Sequence, residues 1–258
     1  MHLNAPSPQV LVIGFILICA GCATYQTPGG PASFRALGIT EQEIGDITDY
    51  SITRRLERKP TASFPTALAV VRVQDRGYYS RSSRGSGSGN YTVVTNRDVE
   101  TDDDFNQIAA LPMLRGLAPL NPLVMPGNLN TDLELRQGAA SVQADMLFIY
   151  TFDTDFSVEH TIAPLGVITL GLFPEADARV SSTAYGALLD TRTGYVYGLI
   201  EGTGRDTQLA NAWTSNAAID QVRRRVEREA FEKLVASFET IWPGIVETYG
   251  PQIATPDS

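Results

Sequence analysis

The sequence has few of the residues that make redox, metal and nucleophilic chemistry easy. It has two cysteines and two histidines in 258 residues. Both cysteines, Cys19 and Cys22, fall in the first apolar stretch, so the chain beyond Ala23 carries no thiol. That excludes a disulfide scaffold, a cysteine-based zinc site and a cysteine nucleophile in the folded part, whose core must hold by packing alone. Beyond the same stretch the only imidazole is His160. A Ser-His-Asp arrangement would have to use it, and no Gly-x-Ser-x-Gly context accompanies it. Cationic residues are also in the minority, 20 against 29 acidic ones, for a formal charge of -9. This balance argues against nucleic acid as a partner, because affinity for phosphate backbones comes from clustered Lys and Arg. No apolar run reaches the roughly 20 residues of a membrane-spanning helix.

What is present first is Leu11–Cys22, LVIGFILICAGC. The apolar core from Val10 to Ala20 has signal-peptide length. An ordinary cleavable signal shares that core, but small residues ending at once in cysteine resemble the bacterial lipobox. The resemblance implies cleavage before Cys22, diacylglycerol on its sulfur and an acyl chain on the new amine. Ala23 rather than Asp follows the cysteine, which by the same resemblance implies the outer membrane, with the protein on its periplasmic face. Two or three acyl chains, at about 0.8 kcal/mol per buried methylene, make such anchoring effectively permanent.

The chain then reads as residues 22–39, a Pro- and Gly-rich tether. Residues 40–64 form an N-terminal helical segment, opened by the capping-box pattern Thr40-Glu41-Gln42-Glu43. Within it Arg54, Arg55, Arg58 and Lys59 form a basic cluster, either a solvated face or a contact for lipid phosphate. Residues 65–250 form one domain, and 251–258 a loose tail.

Inside the domain, Pro65–Val73 is a near-continuous apolar run, the pattern of a central buried strand. Gly77–Asn90 lacks the Gly-Lys-Ser/Thr ending of a phosphate loop and reads as a loop before a strand at Tyr91–Thr95. Asp102, Asp103 and Asp104 follow Thr101. A metal site is conceivable there, but with no supporting ligand spacing they read as a helix N-terminus. That helix continues past Pro112 to Leu117, and Asn121–Val124 is a short strand. Thr131-Asp132-Leu133-Glu134 opens a second capped helix to Gln143. Ala144-Asp145 leads into the apolar strand Met146–Phe152. Asp153, Asp155, Glu159 and His160 lie just past its end. They are either turn residues or a polar site of carboxylates and imidazole.

Ile162–Phe173 is apolar without strand or helix period. It is either interior, or an exposed hairpin in which Ile162, Leu165, Val167, Ile168, Leu170, Leu172 and Phe173 meet a membrane or another subunit. Val180–Asp190 and Tyr195–Gly204 form a hairpin around Asp190-Thr191-Arg192-Thr193-Gly194. Thr214-Ser215-Asn216 caps a long helix from Ala217 to Ile241. Its apolar stripe is Ile219, Val222, Val226, Ala230, Leu234, Phe238 and Ile241. Arg223–Glu227, Arg225–Glu229 and Arg228–Glu232 pair on its other face. Trp242-Pro243-Gly244 stops it.

This order of elements, with the phrases AASVQADMLFIYTF and LLDTRTGYVYG, resembles the α/β domain shared by the TolB N-terminal domain, the curli-secretion lipoprotein CsgG and the penicillin-binding-protein activator LpoB. The likeness covers about residues 65–242. It implies a non-enzymatic periplasmic role: adaptor, activator or assembly subunit. Neither phrase is a catalytic motif.

The expectation is an α/β fold with one mixed central sheet flanked by helices. It follows a lipoprotein signal at residues 1–21 and the tether. The expected role is binding or scaffolding at the cell envelope through a protein partner, with no catalytic residue, metal or cofactor. The alternative is a subunit of an oligomeric, CsgG-like outer-membrane secretion assembly, the chain then being a homo-oligomer.

Overall fold

The computed structural model describes residues 30–32, 48–160, 176–209 and 216–251. Residues 1–21, Cys22, the helix expected after Thr40, the Ile162–Phe173 stretch, Thr214-Ser215 and the tail from Gln252 lie outside them. The elements in chain order are α1 (Asp49–Leu56), β1 (Thr66–Asp75), β2 (Gly85–Ser86), β3 (Ser88–Gly89), β4 (Tyr91–Val94), α2 (Asp102–Ala109), β5 (Leu114–Pro119), β6 (Asn128–Leu129), α3 (Asp132–Ser141), β7 (Met146–His160), β8 (Ala176–Asp190), β9 (Val196–Leu209) and α4 (Asn216–Tyr249). They build one α/β domain around a seven-stranded mixed sheet, ordered β2-β4-β1-β7-β8-β9 with β5 beside β1. β1 runs parallel to β5 and β7, while β4, β8 and β9 join antiparallel.

Both faces of the sheet's centre are covered, which is why Ala67–Val71 of β1 and the start of β7 are apolar at every position. Leu68, Val70, Phe148, Tyr150 and Phe152 pack under α4 against Phe231, Leu234, Phe238 and Trp242. The alternate residues Ala69, Val71, Leu147 and Ile149 pack under α3 against Leu135 and Ala139. The capping box at Thr131 forms, and the helix start at Thr101 is closed by the same kind of bond. Thr101 N–H donates to Asp104 at 2.7 Å and Thr131 N–H to Glu134 at 2.9 Å.

The two phrases behind the family likeness occupy structural junctions. The Asp190 carboxylate accepts N–H bonds from Arg192 and Thr193, closing the β8–β9 turn, and bonds from Thr61 and the Tyr197 hydroxyl. These bonds hold its carboxyl below the ordinary aspartate value, against the opposing effect of burial. Gly194 supplies the positive φ of 67° that the turn requires. Asp145 donates its N–H to the Ala67 carbonyl and accepts the Thr191 N–H on its own, tying β1, β7 and the turn together.

Several boundaries differ from the sequence expectation. α2 ends at Ala109, and Leu114–Pro119 is a strand, since a short apolar run has the same pattern in either conformation until a partner strand selects one. Pro122–Val124 is a 3-10 turn capped by Asn121, not a strand. β7 continues through Asp153 and Asp155 to His160, because β8 pairs with it along its whole length, to His160↔Ala176. α4 passes through Trp242-Pro243-Gly244 to Tyr249. Pro243 and Gly244 face solvent, while Trp242 stacks on Phe238 at 5.6 Å and Ile245 is buried, so core packing carries the helix past the missing donor.

β9 is an edge strand, and α4 caps part of that edge. Ser237 and Lys233 donate to the carbonyls of Glu201 and Thr203, and Glu229 accepts from the Arg205 N–H. These residues, four apart on one helical row, cover backbone groups that would otherwise be open to another strand. The close approach depends on glycine. A Cβ at Gly202 would sit 2.5 Å from the Ala230 carbonyl oxygen and from the Leu234 nitrogen. Gly202→Ala is expected to destabilise the domain by about 1–3 kcal/mol through overpacking. Gly244→Ala, with open space around it on the same helix, is expected to stabilise by about 0.5–1 kcal/mol. Urea-unfolding midpoints of the two variants check both signs.

Candidate functional site

Arg72 points from β1 towards α4, although its neighbours Val70 and Val71 are apolar core. Its guanidinium lies 4.6 Å over the Phe152 ring and 5.5 Å from that of Tyr78. It donates to Asp98 at 3.1 Å, Glu100 at 3.4 Å and the Tyr78 hydroxyl at 3.1 Å, and sits 3.7 Å from Glu227. Arg223 of α4, fully buried, reaches the same cluster. It donates to Asp220 at 3.1 Å, to Asp98 at 2.9 Å and to Glu227. Thr154 of β7 closes Glu227 from the sheet side at 2.9 Å, and Tyr150 donates to Glu100 at 2.9 Å.

Two buried guanidinium groups thus meet four carboxylates, with the half-exposed Arg224 on Asp220 as a further cation. Burial alone would lower the pKa of Arg72, but Glu100, Glu227 and Asp98 outweigh it and keep the group charged. Asp98 is held below the ordinary aspartate value by Arg72, Ser82 and Arg223, against burial. Glu227 goes the other way. Its burial raises the carboxyl above the ordinary glutamate value despite Arg223 and Arg72 beside it. The cluster ties three segments of chain to one another: the loop carrying Tyr78 and Ser82, the segment after β4 carrying Asp98 and Glu100, and the first turns of α4.

Beside this cluster the sheet edge forks. β5 pairs with the first half of β1 as far as Val70↔Pro119, and β4 takes over from Arg72↔Val94. The fork opens a cavity of about 190 Å³, walled by Arg72, Thr95, Arg97, Phe105, Asn121 and Tyr150 together with apolar residues. It lies at the carboxyl end of a parallel strand where the neighbour changes, the position at which open α/β sheets bind ligands. Arg97 packs 4.4 Å over the Phe105 ring and pairs with Asp102 at 2.8 Å. Arg72 Nε, on a buried side chain that walls the cavity, is a donor without a partner among the described residues.

The sequence reading placed its polar candidates elsewhere. Asp153 and Asp155 are exposed on β7. Glu159 and His160 are strand positions beyond them, opposite Asp177 and Ala176. From Asp153 to His160 the strand rises about 23 Å, so the four are strung out along β7 instead of converging. Asp104 caps α2 and is paired with Arg228 from α4, which gives the aspartate run a structural role. The expected surface pairing on α4 is redistributed. Arg223–Glu227 is buried, Arg225 pairs with Asp206, Glu229 with Lys233, and of the three expected pairs only Arg228–Glu232 forms on the solvent side. The signal for the buried cluster was Arg72 inside ALAVVRV, a lone cation in an otherwise apolar run. No group of three or more His, Cys, Asp or Glu arranged to hold a metal occurs among the described residues. No protein-family model matches the chain, and no curated protein matches it in sequence.

Arg223→Met leaves Asp98, Asp220 and Glu227 facing one another without their shared cation, and is expected to cost about 3–5 kcal/mol in chemical denaturation. The sign of the pH dependence follows from Asp98. Its folded-state value is depressed, so its contribution is present above the ordinary aspartate value of 3.8 and is lost as pH falls through the folded value. The stability gap between the parent and Asp98→Asn is therefore widest at neutral pH and closes below about pH 4. Thermal unfolding across that pH range measures it.

Proposed function

We propose that the chain is a lipid-anchored binding or scaffolding protein of the bacterial cell envelope, facing the periplasm from the outer membrane. The observation that carries this reading is the Ala20-Gly21-Cys22 ending of the apolar leader, followed closely by residues seated on the domain. Gly30 accepts from the Asp75 N–H at 3.0 Å, Pro31 bridges Gln74, and the buried Ala32 donates to Thr151 Oγ1 at 2.9 Å. Three residues within the expected tether are thus part of the fold. Eight residues from Cys22 to Gly30 span at most about 28 Å. A lipid on Cys22 therefore keeps the domain against the bilayer surface instead of letting it range through the periplasm.

The likeness to the CsgG, LpoB and TolB group supports the same reading, as does the absence of a recognisable nucleophile context. The fork cavity and the long sheet offer binding surfaces to an envelope partner. A second reading, a subunit of an oligomeric secretion assembly, is favoured by one observation. β7 and β8 stay paired to His160↔Ala176, so the apolar stretch from Ile162 to Phe173 connects the ends of a fifteen-residue hairpin. Rings in electron micrographs of detergent-extracted protein would favour that reading, and a monodisperse monomer would count against it.

For the anchor, lipid labelling of the parent chain is expected, and Cys22→Ser is expected to abolish it. A parent chain that takes up no label, or a Cys22→Ser chain that is still labelled, overturns the anchor reading.

A further inference from the structure

We propose that α1, with Arg58 and Lys59 after it, is the surface on which the domain rests against anionic lipid headgroups. The proposal deepens the anchor reading and rests on it for the membrane's proximity.

α1 takes no part in either face of the core. Its large side chains are exposed: Tyr50 by 66%, Ile52 by 47% and Leu56 by 82%. Ile52 and Leu56 are four apart and form one apolar stripe. Arg55 flanks that stripe, Arg58 and Lys59 follow its end, and Arg54 lies on the other face over the Tyr50 ring, with Asp49 and Glu57 as the only anions in the segment. A chain of net charge -9 thus gathers four cations beside exposed apolar residues, 27 to 37 positions after the proposed lipid. This is the composition of a surface that lies in a lipid interface: apolar side chains to enter it and cations to meet the phosphates.

The residues that follow the helix tie it to the domain. Arg58 donates to the Gly194 carbonyl at 3.3 Å, and the Lys59 carbonyl accepts from Thr193 Oγ1 at 2.8 Å. Both partners belong to the β8–β9 turn, where the exposed Arg192 adds a cation. One eight-residue helix binds lipid weakly in solution, each cation near an anionic surface contributing roughly fivefold. A lipid on Cys22 makes the contact intramolecular at millimolar effective concentration, where weak affinity suffices.

An orientation follows. The turn and α1 lie at one end of the β7–β8 ladder and His160↔Ala176 at the other, about 47 Å away along the strands. Docking through α1 directs the far end away from the bilayer.

The test uses the chain in two forms. The first is the mature chain from residue 22 onwards, made without the leader and with Cys22→Ser, so that only the protein surface can bind. It is sedimented with vesicles of phosphatidylethanolamine and phosphatidylglycerol, and with vesicles of phosphatidylcholine alone. Salt-sensitive binding to the anionic vesicles is expected, weakened at least about tenfold in a variant with both Arg55→Gln and Lys59→Gln. The double variant Ile52→Ser, Leu56→Ser is expected to weaken it as well. Neither pair contributes to the core, and circular dichroism checks that both variants fold. The second form is the lipidated chain with a single dye-labelled cysteine, either Ile52→Cys or Arg179→Cys, in anionic vesicles carrying a headgroup quencher. Quenching at position 52 but not 179 is expected. Equal binding to neutral and anionic vesicles, no effect of either double variant, or quenching at position 179 instead of 52 overturns the proposal. The last result would place the far end of the hairpin in the bilayer. Failure of the anchor reading is seen separately, as an unlipidated mass for the parent chain, and leaves the sedimentation result standing on its own.

Discussion

Burying Arg72 and Arg223 between the sheet and α4 is the constraint on which much of the structure turns. A guanidinium taken out of water is costly unless carboxylates meet it with good geometry. Here four carboxylates come from two segments: Asp98 and Glu100 after β4, and Asp220 and Glu227 on α4. The segment from Tyr78 to Glu100 contains little regular structure, only three short strands. Its position follows from the need to bring Ser82, Asp98 and Glu100 to the two arginines. Apolar packing holds α4 over β7 and β8, and the ion cluster determines how its N-terminal half sits against the loop side of the sheet. The excess of carboxylates is absorbed where burial is deepest, at Glu227, whose carboxyl is pushed upwards while Asp98 beside it is pushed down.

The same arrangement shapes the surfaces available for binding. The strand that carries Arg72 is also the strand whose edge forks between β5 and β4, so the cavity has a charged, hydrogen-bonding floor and an apolar wall. On the opposite edge, the glycines of β9 let α4 come close enough for Ser237, Lys233 and Glu229 to cap part of the open backbone. One sheet edge is thus opened into a cavity and the other is partly closed to strand addition. The capped edge leaves fewer open backbone groups to template strand addition from another chain.

Gly30–Ala32 sit beside Asp75 and Thr151, at the carboxyl end of β1, whereas the segment after α1 is tied to the β8–β9 turn at the other end of that strand. Under the proposed anchor, the eight residues from Cys22 to Gly30 reach about 28 Å, so an approach of α1 to the bilayer stretches them back along nearly the whole of β1.

The sequence alone determined the parts of this protein that depend on local pattern. The apolar run with β-branched residues marked β1. The Thr-x-x-Asp/Glu phrases marked the starts of α2 and α3, and the 3.6-residue stripe marked α4. The Asp-x-x-Thr-Gly phrase marked the β8–β9 turn. Each of these is encoded within a few residues of where it acts. Tertiary structure alone decided the rest. Leu114–Pro119 became a strand because β1 offered an edge. β7 ran on through Asp153 and Asp155 because β8 paired with it, which spread out the polar residues that looked like a site. α4 crossed Pro243 because Trp242 and Ile245 had a core to enter. Arg223 and Glu227, spaced like a surface pair, were buried because Arg72 and Asp98, more than 120 residues earlier, met them there. Local propensity acts over one or two turns of chain. The free energy of burying a charge, or of adding a strand, depends on partners that adjacent sequence does not contain.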